Sequence, residues 1–243
     1  MNLMWIKRAF VLLLVGWPVL LTIFLTLAGI ENGQLRAMAG MLWGLNLLWL
    51  GGAGLLTLWG RDKARAILQR TTHHSGLKFI LFAALLALIE EAIATLMTNC
   101  APLFGVHVGE VYITASANYL DVVVFHSVVV FLPQFAAWAW LLSRYAFSPF
   151  AVFVLFGLTG LIDETLFAGP QLLTIAQWLL IYGLMVYLPA YCYPELSHRR
   201  PVRWWHYPVA VILPILAAVP VVFLLQWLAP GHPSFHFPPM QAK

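Results

Sequence analysis

Seven long apolar runs divide this chain, and they restrict its fold more than any other feature of the sequence. Each is close to the roughly 20 helical residues that cross the ~30 Å hydrocarbon core of a bilayer. Because backbone polar groups in lipid must be satisfied internally, each run is predicted to be an α-helix. The predicted spans are residues 9–30, 38–59, 77–98, 119–143, 148–168, 171–193 and 207–228. The chain is therefore predicted to be a single all-α polytopic membrane bundle over residues 1–243.

The composition also indicates a membrane protein. Hydrophobic residues make up 62% of the 243 residues and charged residues 9%, whereas a soluble domain carries about 25% charged residues. The net charge of +4 is interpreted as a signal for membrane topology, because Lys and Arg collect in cytoplasmic loops. The expected partner is the lipid bilayer, and no nucleic acid is expected.

The positions of the basic residues predict the orientation of the bundle. If the N-terminus is cytoplasmic, eleven Lys and Arg residues lie on the inner side, and two, Arg36 and Lys243, lie on the outer side. This asymmetry favours seven spans, N-in and C-out, in a bacterial-type inner membrane. The eleven inner residues are Lys7, Arg8, Arg61, Lys63, Arg65, Arg70, Lys78, Arg144, Arg199, Arg200 and Arg203.

The first run follows Lys7-Arg8, as a signal peptide would. At about 22 residues it is longer than the hydrophobic part of a signal peptide, which has about 7–15 residues. We therefore interpret it as a retained anchor helix.

Ionisable side chains interrupt the third, fourth and fifth runs. A charge at the bilayer centre costs about 2.5–3.5 kcal/mol on insertion scales, so such groups face protein, water or a metal ion. The interrupting residues are Glu90, Glu91, Asp121, His126, Asp163 and Glu164. Any function of this protein is expected at these residues.

Helix geometry predicts that these groups lie at a similar depth. Glu90 lies about 13 residues, or roughly 20 Å at 1.5 Å per residue, from the inner end of its span. His126 lies roughly 10 Å below the outer end of the next span, and Asp163 falls in the outer third of the fifth. Consecutive antiparallel helices are usually neighbours. The sequence therefore predicts one polar cluster in the outer half of the membrane.

Further polar residues share helix faces with this cluster. Thr95 follows Glu91 at helical spacing, in a stripe of small and polar residues that permits close helix packing. Gln134 lies beside the face of His126 on the fourth span. The residues predicted to support the cluster are Asp163, Glu164, Asp121, Gln134 and Thr95.

Two connections are longer than turns. Residues 60–76 are basic and are predicted to form a short cytoplasmic surface helix. Residues 99–118 are external and apolar; they either cover the polar cluster or form a packed connecting loop. His107, His232 and His236 are interpreted as solvated loop and tail residues and not as a metal site.

The residue types in the cluster leave several functions open. Carboxylates with an imidazole can bind a divalent metal, or activate a water molecule by general-base catalysis. They can also carry protons or sodium ions through a transporter. A buried hydrogen-bonded network in a non-catalytic scaffold protein is a further alternative.

A Glu-Glu pair on one membrane helix, followed by a histidine on the next, resembles the CPBP family of intramembrane proteases (CAAX proteases and bacteriocin-processing enzymes). That family carries EExxxR, FxxxH and HxxxN motifs on successive helices. Glu90-Glu91 match the paired glutamates and His126 matches the histidine of the second motif. Thr95 stands in place of the arginine, Val122 stands in place of the phenylalanine, and HxxxN is missing.

The resemblance implies an intramembrane hydrolase that acts on a membrane-embedded peptide. It implies that Glu90, Glu91 and His126 are catalytic and activate the hydrolytic water. We expect Glu91 to be the general base and Glu90 to orient it. Without HxxxN, the expected oxyanion donors are Gln134, Asn99 or backbone groups. Whether a divalent metal takes part stays open.

The predicted topology can be tested by cysteine-accessibility labelling. Single cysteines at residues 61–74 should react with a membrane-impermeant thiol reagent only from the cytoplasmic side. Cysteines at residues 105–115 should react only from the outside, because the basic loops stay in the cytoplasm. The opposite pattern, or an even number of spans, would contradict the N-in, C-out assignment.

Overall fold

The chain folds as an all-α polytopic helical bundle, as the apolar runs predict. The computed structural model describes residues 3–70, 74–232 and 237, and these residues include no β-strand. The helices are α1 (Leu3–Ala28), α2 (Gly33–Leu45), α3 (Gly54–Leu68), α4 (Ser75–Asn99), α5 (Tyr119–Phe125), α6 (Val128–Arg144), α7 (Pro149–Ala168), α8 (Ile175–Cys192) and α9 (His206–Leu228).

Six helical segments in the described part of the chain are long and apolar enough to cross a membrane. The pair α5 and α6 makes a seventh if it is counted as one span, although the two helices are bent by 43°. Large apolar side chains cover the outward faces of the bundle; Leu12 on α1 and Phe223 on α9 are 72% and 65% exposed. Such faces suit contact with lipid chains.

The second span is longer than predicted. A π-helix, Asn46–Ala53, joins α2 to α3, so that one helical segment runs from Gly33 to Leu68. Residues 60–68 are helical, as expected for the connection 60–76, but they continue α3 and do not form a separate short helix. Residues 71–73 lie outside the described part of the chain.

The π-helix begins where three helices are joined by hydrogen bonds. The amide of Gln177 on α8 donates to Asn46 Oδ1 at 2.9 Å. Asn46 Nδ2 donates in turn to the hydroxyl of Thr22 on α1 at 3.0 Å. All three side chains are buried, and such interhelical bonds hold membrane helices together. This network fastens the two N-terminal spans to α8.

Five helices form a closed ring. Going round it, α4 packs against α6, α6 against α9, α9 against α7, α7 against α8, and α8 against α4. The inner half of the ring is filled by fully buried side chains, with Phe135 and Phe156 at 5.5 Å between ring centroids. The ring can therefore enclose a space only toward the end that carries residues 99–118. We call this the outer end, following the predicted topology.

Glycines allow α7 and α8 to approach closely. A Cβ atom at Gly157 would lie 2.6 Å from the carbonyl oxygen of Leu179 on α8, and one at Gly183 would lie 2.6 Å from the ring of Phe153 on α7. Small residues permit this type of close backbone contact between membrane helices. The contact holds the polar end of α7 beside α8.

The fourth predicted span is broken at His126 and Ser127. The amides of both residues donate to the Val122 carbonyl, at 3.2 and 2.9 Å, and the Ser127 hydroxyl donates to the same oxygen at 3.2 Å. A side-chain hydroxyl that bonds to the backbone competes with the regular helical ladder. The prediction of one span over residues 119–143 is therefore corrected to two helices, α5 and α6, bent by 43°.

Replacing Gly157 by Ala should destabilise the bundle by about 1–3 kcal/mol, the usual cost of overpacking. The new methyl group would meet the rigid backbone of Leu179. Gly16→Ala is the matched control, because a Cβ at Gly16 meets nothing within 4 Å. Reversible unfolding of purified protein in mixed micelles measures the difference. Equal stabilities of the two variants would contradict the close α7–α8 contact.

Candidate functional site

A cavity of about 530 Å³ lies inside the helical ring at its outer end. All five helical walls contribute to it: α4, the α5–α6 pair, α7, α8 and α9. Residues 112–115 line it as well. Other residues of the same connection, Ala101 and Val111, are buried against Ala37 and Met41 of α2, so the connection both packs on the bundle and contributes to the lining. Gln226 on α9 is exposed and also lines the cavity, so it marks the rim.

Two buried carboxylates reach this cavity from α4. Glu90 and Glu91 are 5% and 7% exposed, and both line it. The hydroxyl of Thr114 donates to Glu91 Oε2 at 3.4 Å. Glu91 is therefore bonded to the connection between α4 and α5.

Two more carboxylates reach it from α7. The amide of Gln134 on α6 donates to Asp163 Oδ2 at 2.8 Å. The phenol of Tyr182 on α8 donates to Glu164 Oε1 at 2.5 Å. Glu164 also lies close enough to Glu90 and Glu91 to interact with both electrostatically. The carboxylates of α4 and α7 therefore form one cluster across the ring.

His126 completes the group at the point where α5 ends. Its position at the break, and not within a regular helix, allows its side chain to line the cavity beside Ser127. The structure thus brings five predicted residues to one cavity: Glu90, Glu91, His126, Asp163 and Glu164. Their proposed catalytic roles remain predictions.

The other predicted residues lie farther from the cavity. Gln134 is 1% exposed and contributes through its bond to Asp163. Asp121 accepts a 3.5 Å bond from Ser116 and does not line the cavity. Thr95 is buried but also does not line it. Thr95 lies one helical turn beyond Glu91 on the same face of α4.

The proposed oxyanion donors are occupied. Asn99 Nδ2 donates to the carbonyl oxygens of Thr95 and Ala117, at 2.9 and 2.8 Å. The Gln134 amide is bonded to Asp163. Of the expected donors, the backbone groups remain.

Sequence reasoning missed the partners of the carboxylates. Tyr182 stands in an ordinary apolar run, and Thr114 stands in a loop with no motif around it. Among the other residues that line the cavity, Ser127 carried a signal, because it follows His126 directly. Trp178 and Gln171 also line the cavity without any periodic pattern that would have identified them.

The described residues contain no group of three or more His, Cys, Asp or Glu side chains arranged to hold a metal ion. His236 lies outside the described residues.

No protein-family model, curated protein or solved structure shows significant similarity to this chain.

The water accessibility of the cavity can be tested on α4. In a variant without Cys100 and Cys192, Ala94→Cys should react with a small methanethiosulfonate reagent, because Ala94 lines the cavity. Ala87→Cys is the matched control on the same helix; Ala87 is 0% exposed within the packed core. Mass spectrometry measures the labelled fraction. Equal labelling at both positions would contradict a cavity at the outer end only.

Proposed function

We propose that this protein is an intramembrane hydrolase, similar in its chemistry to the CPBP proteases, in a bacterial-type inner membrane. The observation that carries this proposal is a buried carboxylate, Glu91, that accepts a hydrogen bond from the Thr114 hydroxyl and lines a cavity that His126 also lines. A carboxylate and an imidazole facing one enclosed space are suited to activating water. The proposed substrate is a membrane-embedded peptide.

Glu91 acts as the general base in this proposal. It removes a proton from a water molecule whose oxygen attacks the carbonyl carbon of the scissile amide. The C–N bond then breaks, and the leaving nitrogen takes the proton from protonated Glu91 or from His126. The products are a carboxylic acid and an amine, and water is the only co-reactant.

Backbone amides are the proposed donors for the oxyanion. The first N–H groups of a helix have no intrahelical acceptor. At the start of α6, those of Val130 and Phe131 donate to the Ser127 carbonyl. This leaves the N–H groups of Val128 and Val129 as the proposed donors. The break in the fourth span would therefore provide donors where the HxxxN motif is missing. Donors that are already in position stabilise developing charge without reorganisation.

An ion-coupled transporter is the second candidate. The observation that favours it is the same helix break, since interrupted helices near acidic residues form the ion sites of many transporters. The two candidates differ in what Glu91→Gln abolishes: bond cleavage in one, and proton-driven uptake into proteoliposomes in the other.

Glu91→Gln should lower hydrolysis by about 10²–10⁴-fold, the usual contribution of a general base. His126→Ala should lower it by a comparable factor. Glu195→Gln is the matched control, because this glutamate is exposed and pairs with Arg65 at 3.2 Å, away from the cavity. New N-termini generated from membrane proteins in proteoliposomes, quantified by mass spectrometry, measure the activity.

Cleavage that survives both substitutions in folded protein would refute the proposed roles. No cleavage by the wild type, together with proton-driven transport that Glu91→Gln abolishes, would favour the transporter. If the substitutions change only the stability, the protein is a scaffold.

A further inference from the structure

The cavity combines acidic side chains with aromatic side chains. Four carboxylates line it, and none of the described residues that line it is a Lys or an Arg. The one ion pair among the described residues joins Arg65 to Glu195 at the opposite end of the bundle. The carboxylates of the cavity therefore have no ion-pair partner in the described part of the chain.

Among the four carboxylates of the cavity, Glu90 has the fewest hydrogen-bonding partners. Glu91, Asp163 and Glu164 each accept a hydrogen bond from a neutral group. The described residues supply no such donor to Glu90, although its side chain is only 5% exposed and lines the cavity. Glu90 faces the cavity beside two other carboxyl groups, Glu91 and Glu164. A cation in the cavity would supply the missing partner.

The aromatic rings favour an organic cation over a metal ion. The rings that line the cavity are Tyr112, Phe125, Phe131, Phe167, Trp178 and Tyr182. Ring faces attract ammonium groups, and the attraction grows when water is excluded. The carboxylates of the described residues, in contrast, are not grouped as metal ligands. The volume of about 530 Å³ falls within the range of about 300–1,000 Å³ for small-molecule sites.

The rim of the cavity suits a ligand that stays attached to the membrane. Phe167 on α7 is 47% exposed, and Leu225 and Gln226 on α9 line the same opening. The neighbouring Leu224 is 50% exposed on the outward face of α9. An apolar chain leaving the cavity here would meet apolar side chains and lipid.

We propose that the cavity binds a membrane-anchored ammonium group, with Glu90 as its main counter-ion and the aromatic rings around it. This inference deepens the proposed function by naming the class of substrate: Glu90 selects the cation, while Glu91 acts on the bond beside it. The proposed source of the ammonium group is a lysine side chain of the membrane-embedded peptide substrate. An amino-lipid headgroup carries the same chemistry and would be a ligand without being that substrate.

Calorimetric titration of the purified protein in a neutral detergent tests the binding. Octylammonium should bind saturably, and at least ten times more tightly than octanol, which has the same chain without the charge. Glu90→Gln should reduce this preference by at least tenfold, whereas Glu195→Gln should leave it unchanged. Equal binding of octylammonium and octanol by the wild type would overturn the inference.

A second set of ligands identifies the source. Short-chain phosphatidylethanolamine is compared with phosphatidylglycerol, and a hydrophobic peptide with one lysine is compared with its norleucine analogue. Preference for either ammonium compound supports the inference and names the source. If neither binds better than its control, a membrane-anchored ligand is overturned.

Three further variants keep the inference falsifiable and separate it from the proposed function. If Glu90→Gln fails to fold, Glu164→Gln and Asp163→Asn should each weaken the preference for octylammonium, and unchanged binding in both would overturn the inference. Glu91→Gln separates the two proposals, because it should lose hydrolysis while it still binds octylammonium. Ammonium binding by a wild type that cleaves nothing would refute the hydrolase and leave this inference standing.

Discussion

The structure depends on one constraint: carboxylates within membrane helices must be kept from lipid. Four carboxylates lie on two helices: Glu90 and Glu91 on α4, and Asp163 and Glu164 on α7. Both helices pack against α8, which lies between them. Helices α6 and α9 complete the ring, so that all four carboxylates line one cavity. The aromatic packing of the inner half then confines this cavity to the outer end. Burial of charge and placement of the site are therefore two aspects of the same arrangement.

The two N-terminal spans have a different role. They pack outside the ring, where the bonds from Asn46 to Thr22 and Gln177 fasten them to α8. None of their residues lines the cavity. Their contribution is to support α8, which in turn positions Tyr182 against Glu164. The hydrogen bonds among Thr22, Asn46 and Gln177 therefore stabilise α8, which forms one wall of the cavity.

The spans and the cluster could be predicted because each follows from a strong local signal. Length and hydropathy predict the helices, and helix rise predicts that Glu90, His126 and Asp163 lie at a similar depth. The break at His126 could not be predicted, because it depends on which donor takes the Val122 carbonyl. The π-helix after Leu45 and the position of Thr114 depend likewise on tertiary contacts.

Cross-linking between α4 and α7 tests the central claim most directly, which is that both helices face one cavity. A cysteine-free protein carrying Ala94→Cys and Phe167→Cys is treated with a short bifunctional methanethiosulfonate. Both positions line the cavity, so an intramolecular cross-link is expected by mass spectrometry. The control pairs Ala94→Cys with Leu166→Cys, since Leu166 is 70% exposed and lies outside the cavity. Equal cross-linking of both pairs, or none in either, would contradict the account.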